Sequence, residues 1–335
     1  MKLLLATATE SGERHLEELA AVLGPKDLVI VNDAATLPAA FAARDADGHD
    51  FELRLATQLS ARRWTCIAMG SGSHRVDTNR RPAPPKRRVG EELRLHALDG
   101  SSGSLAARIA SVLDEESRLI EVDFELSGTA LLERFFELGT MIQYAYHQRP
   151  LPASWLHTPY AGAAWAVEMP SAGRYLGVEL IARLRRRGVQ LAWLTHAAGP
   201  SATGSPQLDA RLPLAERYRI PQETVDAIRR CREAGGRVIA VGTTVVRALE
   251  GCVHDHGHVR PGPGRTSLRL GPEHELRVVD GLLCGLHGPG ESHFELLRSF
   301  RGRDELAELY ALGERRGFQN HELGDLMFVL AERPS

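Results

Sequence analysis

Residues 235–250 read Gly-Gly-Arg-Val-Ile-Ala-Val-Gly-Thr-Thr-Val-Val-Arg-Ala-Leu-Glu and constrain the fold of the chain strongly. The continuous apolar run 238–241 is typical of a strand that is covered on both faces. Gly242 allows a sharp turn, and Thr243 or Thr244 can cap the first amides of a following helix. Because a helix that starts at the carboxyl end of a buried strand binds anions readily, the stretch predicts a strand, a turn, a helix and a pocket.

Arg247 lies one helical turn beyond the start of this helix, close enough to add a bidentate cation to the same pocket. Two interpretations stay open from the residues alone. Capping residues occur at most helix starts, so the stretch is either a capped strand–turn–helix with a solvated arginine or a pocket for a carboxylate, a phosphate or a ribose. In the second case Gly242, Thr243, Thr244 and Arg247 bind the anionic group.

The pattern of apolar and polar residues changes twice along the chain. Short stretches with alternating apolar and polar residues occur between residues 51 and 124, which is typical of a small antiparallel sheet or barrel. Beyond residue 150 helical and strand patterns alternate, as they do in α/β domains. We therefore predict a mixed α/β domain made of residues 1–50 and 150–335, interrupted by an inserted small antiparallel β-barrel domain made of residues 51–149.

The formal net charge of −2 gives no overall attraction to nucleic acid, so any RNA contact needs a local basic patch. Residues 80–88 supply one, because several cations stand there among prolines and cannot pack into a core. Lys86, Arg87 and Arg88 are the candidate RNA-binding residues of this segment. A solvated basic loop without RNA contact is the alternative.

The four cysteines are scattered without a Cys-x-x-Cys pair, which argues against a structural zinc site or a disulfide framework and fits a reducing cytoplasm. Three histidines follow Cys252 at alternate positions and would share one face of a strand. Histidine-rich loops often carry no site, so we predict no metal. No run approaches the roughly 20 apolar residues of a membrane span. We expect a cytoplasmic protein without membrane contact.

The stretch 235–250 also resembles a signature of the S-adenosylmethionine:tRNA ribosyltransferase-isomerase family of queuosine biosynthesis. Further matches follow one another in order over nearly the whole chain. They comprise Asn32-Asp33, the basic segment 81–93, Thr158, Pro170–Gly173, Glu216 with Tyr218, Val279-Asp280, His287 with Pro289, and Gly324–Met327. The resemblance implies an α/β domain with an inserted β-barrel, in agreement with the change of pattern along the chain.

The resemblance also implies a reaction. The ribosyl part of S-adenosylmethionine moves onto an aminomethyl-deazaguanine base in tRNA, the sugar rearranges to an epoxycyclopentane, and adenine and methionine leave. S-adenosylmethionine is then a substrate, and no metal is required. Such a reaction needs a base that takes a proton next to the sulfonium, an acid that helps adenine to leave, and anchors for the methionine end.

The matching positions assign proton transfer to His287, Glu216 and Asp280. His287 stands among glycines at a strand end, and its imidazole titrates in the useful range. The residues alone leave other roles open, since His287 can hydrogen-bond a tight turn and Glu216 can be an exposed carboxylate at a helix start. Asp280 can orient a sugar hydroxyl from the end of its strand.

The implied binding residues for S-adenosylmethionine are Ser171, Gly173, Tyr175 and His196, in addition to the Gly242 turn and Arg247. Tyr175 stands where the family has a histidine. It can donate a hydrogen bond in place of that histidine, stack on adenine or simply pack. His196 follows an apolar strand and is a second candidate histidine.

The chain departs from the family pattern at several cations. Ala34, Ala35 and Ala40 stand where the family has threonine, arginine and arginine, and Arg174 replaces a leucine. Three functions therefore stay open: the tRNA reaction, a reaction of S-adenosylmethionine with a small-molecule acceptor or as a lyase, and a non-catalytic relative that binds RNA or a nucleotide. Whether tRNA is a partner, and in which oligomeric state the chain acts, also stays open.

Overall fold

The computed structural model describes residues 1–7, 10–146, 149–286, 288, 292–321 and 323–332. The chain begins with β1 (Lys2–Ala6), β2 (Ser11–His15), α1 (Leu19–Val22), β3 (Leu28–Asn32) and β4 (Ala35–Thr36). It continues with β5 (Ala40–Asp45), β6 (Asp50–Gln58), β7 (Arg63–Met69), β8 (Glu92–His96), β9 (Leu105–Val112), β10 (Leu119–Phe124) and α2 (Gly128–Leu138).

The second half alternates helices and strands. Its elements are β11 (Ala164–Ala166), α3 (Val178–Arg186), β12 (Gln190–His196), α4 (Pro206–Asp209), β13 (Glu216–Ile220), α5 (Gln222–Glu233), β14 (Val238–Val241), α6 (Thr243–His256), β15 (Gly262–Thr266), β16 (Gly281–Gly285), α7 (Ser292–Leu297), α8 (Arg303–Arg315) and β17 (Leu326–Leu330). Among the helices of the described ranges, none combines the length and the apolarity of a membrane span.

A nine-stranded mixed sheet forms the α/β domain, with the order β15-β13-β12-β3-β14-β16-β17-β1-β2. The neighbours β12, β3, β14 and β16 run parallel, so their carboxyl ends meet at one edge. Val238 and Ala240 pack with α5 and α6 on one face, and Ile239 and Val241 pack with α3 on the other. This two-sided burial explains why β14 is apolar throughout.

A closed antiparallel barrel with the order β10-β7-β6-β5-β8-β9 forms the second unit. The Phe135 ring of α2 lies in its core, with ring centroids 5.3 Å from Phe41, 5.8 Å from Trp64 and 5.1 Å from Phe124. The predicted α/β fold with an inserted antiparallel barrel is confirmed. The first barrel strand, β5, lies before residue 51, where the predicted insertion begins. The sequence did not indicate this strand, because its Ala-rich sequence lacks the alternation that marks the later strands.

The barrel contacts the α/β domain next to the start of β13. The Thr57 hydroxyl donates to Ala215 O at 3.3 Å, and Arg265 donates to Gln58 O at 2.7 Å. Barrel residues Ala56 and Met69 also belong to one apolar cluster with Leu208 of α4. These contacts fix the end of β6 beside Glu216, which is the first residue of β13.

Candidate active site

The turn after β14 has the predicted strand–turn–helix form. Gly242 has φ 89° and ψ 150°, a conformation that residues with a side chain rarely adopt, and α6 starts at the next residue. The helix has no side-chain cap, so the prediction that Thr243 or Thr244 caps it is wrong. The Thr244 hydroxyl instead accepts a hydrogen bond from Asn32 Nδ2 at 3.2 Å, which ties the helix start to the end of β3.

Three predicted site residues meet at the carboxyl edge of the sheet. The guanidinium of Arg247 on α6 donates to Glu216 Oε2, and the Gly199 amide donates to Glu216 Oε1 at 2.6 Å. His196, at the end of β12, has Nε2 at 3.4 Å from Glu216 Oε2. All three side chains are buried, so neither a solvated Arg247 nor an exposed helix-start Glu216 is found.

The electrostatics of this cluster follow from its burial. Burial raises the pKa of Glu216, although the Arg247 cation and the Gly199 amide act in the opposite direction. Burial and the nearby Arg247 cation hold the pKa of His196 well below its usual value, so the imidazole is neutral near physiological pH. Neither ring nitrogen of His196 nor Nε of Arg247 has a hydrogen-bond partner within the described ranges. Such buried polar atoms fit a pocket that a polar ligand completes.

Asn32 connects the elements that carry this cluster. Its Oδ1 accepts from the amides of His196 at 2.9 Å and Ala34 at 3.1 Å, and its Nδ2 donates to His196 O at 3.0 Å as well as to Thr244. One buried amide therefore holds β3, β12 and α6 in register. Sequence analysis did not assign Asn32 to the site, although its place directly at the end of a buried strand was a usable signal.

Asp33 is a second residue that sequence analysis left out. Its carboxyl accepts from the Thr195 hydroxyl at 2.6 Å and is only partly buried. Burial raises the pKa of Asp33, although the Thr195 hydrogen bond acts in the opposite direction. Side chains alternate along a strand, so Asp33 and Asn32 lie on opposite faces of the same carboxyl edge.

A third carboxylate, Glu168, holds the loop that follows β12. The Ser201 amide donates to Glu168 Oε1 at 3.0 Å, two residues beyond the Gly199 amide that Glu216 binds. The Tyr144 hydroxyl also hydrogen-bonds Glu168, and burial raises the pKa of this carboxyl. Two buried carboxylates thus fix the 199–201 loop over the site. No motif in the sequence indicated Glu168.

Asp280 lies away from this group. It precedes β16, whose first residue Gly281 pairs with Ile239, so Asp280 stands at the amino edge of the sheet. Its carboxylate accepts from Arg232 at 2.6 Å and from the Val238 amide at 2.7 Å. These bonds tie α5 to the sheet, so a proton-transfer role beside Glu216 does not fit its position. His287, the third predicted catalytic residue, lies outside the described residues.

The segment Ser171–Tyr175 forms a 3₁₀ helix beside the Gly242 turn, and a Cβ on Gly242 would lie 3.9 Å from Ala172. Gly173 is tightly enclosed, because a Cβ there would lie 2.1 Å from Tyr160 Oη. The Tyr175 hydroxyl donates to Leu323 O at 2.5 Å. Ala172, between the predicted binding residues 171 and 173, therefore borders the turn, whereas Tyr175 is hydrogen-bonded to Leu323.

Fewer cations of the basic segment 80–88 lie at the surface than its sequence indicates. The Arg87 side chain is 1% exposed and forms ion pairs with Asp45 at 3.0 Å and Glu91 at 2.7 Å, so the prediction of an RNA contact by Arg87 is wrong. Lys86 and Arg88 are exposed. The histidines after Cys252 do not form the strand that would place them on one face, because residues up to His256 continue α6.

The fold and this site together define a class of α/β proteins with an inserted barrel and a polar cluster at the carboxyl edge of the sheet. A family model described as queuosine biosynthesis protein matches residues 1–329. This chain belongs to that family.

Individual relatives agree with the family match. S-adenosylmethionine:tRNA ribosyltransferase-isomerase of Thermus thermophilus is 32% identical over 322 residues, which are 95% of this chain and 88% of that protein. The protein of the same name from Gloeobacter violaceus is 32% identical over 342 residues, with coverages of 98% and 89%. The crystal structure of S-adenosylmethionine tRNA ribosyltransferase from Thermotoga maritima superposes with a TM-score of 0.51 at 25% identity, and covers 98% of this chain and 91% of that one. The family expected from the motifs is confirmed.

Proposed function

We propose that this chain is an S-adenosylmethionine-dependent transferase-isomerase of queuosine biosynthesis that acts in the cytoplasm. It moves the ribosyl moiety of S-adenosylmethionine onto a 7-aminomethyl-7-deazaguanine base in tRNA and releases adenine and methionine. The family membership supports this reaction. The structural observation that carries it is the buried cluster of Arg247, Glu216 and His196, whose unpartnered nitrogens stand at the edge where α/β folds bind their ligands.

We assign the anchoring of the methionine carboxylate to Arg247 and the first amides of α6. Glu216 engages the guanidinium from one side, which leaves Nε for an anionic group. The helix start adds amides that have no intrahelical acceptor. Glu216 thereby orients Arg247, and the neutral His196 imidazole can donate to or accept from a sugar hydroxyl.

We assign the proton transfer next to the sulfonium to Asp33 in preference to Glu216. Glu216 is enclosed and already accepts from Arg247 and Gly199, whereas Asp33 is only partly buried and accepts from one hydroxyl. Burial raises the pKa of both carboxyls, which suits proton transfer near neutral pH, so the greater exposure of Asp33 decides between them.

The test is incubation with S-adenosylmethionine, with and without tRNA that carries the deazaguanine base, and detection of released adenine and methionine by mass spectrometry. Release that requires the tRNA is the expected result. Asp33→Asn should abolish release while S-adenosylmethionine still binds, and Glu179→Gln, at an exposed carboxylate of α3, should match the wild type. Release without tRNA would instead identify a small-molecule or lyase reaction. If the protein neither releases adenine nor binds S-adenosylmethionine, the proposal that it is an S-adenosylmethionine-dependent enzyme is refuted.

A further inference from the structure

A surface cavity of about 380 Å³ is lined in part by Arg174 and Tyr175, at the end of the segment Ser171–Tyr175 whose Ala172 lies near the Gly242 turn. Trp155, Arg174 and Tyr175 form part of its lining, together with His157 and Thr158. None of the roles assigned above uses Trp155 or Arg174. The cavity shares Tyr175 with the segment predicted to bind S-adenosylmethionine and adds Trp155 and Arg174 to it.

Arg174 is stacked between two aromatic rings in this cavity. Its guanidinium carbon lies 4.3 Å from the Trp155 ring centroid and 5.2 Å from that of Tyr175. Among the described residues no carboxylate lies within 4.0 Å of the Arg174 guanidinium. A stacked guanidinium keeps its in-plane N–H groups for an anion such as a phosphate.

Trp155 presents an open aromatic face at the same place. The residue is 49% exposed, which is unusual for so large an apolar ring and leaves surface on which a planar group can stack. Proteins that bind single-stranded nucleic acid combine such faces with cations that follow the backbone. A small anion alone would not require the indole.

A second stacked pair continues the surface. The Tyr175 hydroxyl donates to Leu323 O, and the Leu323 amide donates to His321 Nδ1 at 3.3 Å. The His321 ring is stacked on Tyr146 with a centroid distance of 5.0 Å and an interplanar angle of 20°. Tyr146 is itself exposed. The Tyr146–His321 pair is thus connected to Tyr175 through Leu323, whereas Trp155 and Tyr175 flank the Arg174 cation.

We propose that this surface is a docking site for an unpaired RNA nucleotide, whose base stacks on Trp155 and whose phosphate binds Arg174. The inference rests on the proposed function, because an enzyme that modifies a base must take it or its neighbours out of the stack. The cavity shares Arg174 and Tyr175 with the segment whose Ala172 lies near the Gly242 turn, so a nucleotide held there lies on the side of the carboxyl edge of the sheet. The segment 80–88 is a poorer candidate, because its Arg87 is enclosed by carboxylates.

The experiment is titration of fluorescently labelled tRNA with the full-length protein and its variants, measured by fluorescence anisotropy without S-adenosylmethionine. Trp155→Ala should weaken RNA binding about tenfold or more, the effect of losing one stacked base. The matched control is Trp193→Ala, because Trp193 is also 49% exposed but lies on β12 away from the cavity; it should bind RNA as the wild type does. Arg174→Gln should reduce the slope of log K against log salt by about one phosphate contact.

Binding of S-adenosylmethionine to the same variants, measured by calorimetry, separates the inference from its alternative. Unchanged affinity in Trp155→Ala and Arg174→Gln is expected. Loss of S-adenosylmethionine binding with unchanged RNA affinity would overturn the inference and assign the cavity to that substrate. Wild-type protein that binds no RNA, or variants that bind it as tightly as the wild type, would also overturn it. RNA binding that depends on Trp155 without any adenine release would uphold the docking site and refute the proposed reaction.

Discussion

Replacement of Glu216 by glutamine tests whether the buried ion pair stabilises the site. The substitution keeps the shape of the side chain but removes the carboxylate that lies against the Arg247 guanidinium, the only one within 4.0 Å in the described part of the chain. Arg247 is 9% exposed and Glu216 is 4% exposed. The remaining cation would therefore stay in surroundings that solvate it poorly.

The expected loss of stability follows from this burial. Removing one partner of a buried ion pair costs about 3–5 kcal/mol, because the other charge is left uncompensated. The glutamine oxygen can still accept from the Gly199 amide, so we expect about 3 kcal/mol, the lower end of that range. The double variant Glu216→Gln/Arg247→Met removes both charges and should be more stable than the single one.

The assay is urea unfolding near neutral pH, followed by circular dichroism. The midpoint of Glu216→Gln should fall while the slope with urea stays unchanged, because the exposed surface on unfolding is the same. Glu179→Gln is the control, since its exposed ion pair with Arg183 contributes little. A single variant within about 1 kcal/mol of the wild type, or a double variant no more stable than the single one, would refute the reasoning.

Two further predictions concern other ion pairs. Arg87→Gln should lower the free energy of unfolding by about 3 kcal/mol without changing RNA affinity, because it removes one partner of two buried ion pairs. Arg88→Gln should leave the stability unchanged. Urea unfolding and RNA titration test both variants, and weaker RNA binding by a stable Arg87→Gln protein would contradict the first prediction. Burial alone would raise the pKa of Asp27, but hydrogen bonds from Arg237 and the Gly24 amide outweigh it and the pKa is lowered. Its stabilisation is thus present above the unfolded-state pKa and lost as pH falls through the lowered folded-state pKa. Asp27→Asn should cost about 1–2 kcal/mol near neutral pH, and urea unfolding in acid should show the difference shrinking; a constant difference would exclude this linkage.

Local signals explain why the central strand and its turn could be predicted. A β-branched run covered on both faces defines β14, and a glycine at positive φ defines the turn, both within a few neighbouring residues. The end of α6 was harder to predict, because nothing in the histidine segment stops a helix. The helix ends only at Gly257, which takes the left-handed conformation with φ 77°.

The composition of the site was predictable, but its pairings were not. The motifs named Glu216, His196 and Arg247, yet which atoms meet depends on how β13 runs antiparallel to β12 and on where α6 crosses the edge. Asp280 was misplaced for a related reason. An aspartate next to a short apolar strand has the same local sequence pattern at the amino end and at the carboxyl end of the strand. Only the pairing of β16 with β14 shows that Asp280 lies at the amino edge of the sheet.

The charges of the chain narrow how it can recognise RNA. A formal net charge of −2 gives no general attraction, and tertiary contacts place Arg87 between carboxylates. The sequence cannot show that Arg87 forms these buried ion pairs, because Arg87 and Arg88 are the same residue type and differ only in burial. Because the net charge gives no general attraction, we expect stacking, which each base can provide, to contribute to the affinity. At the proposed docking site the exposed Trp155 face offers stacking and Arg174 offers one phosphate contact.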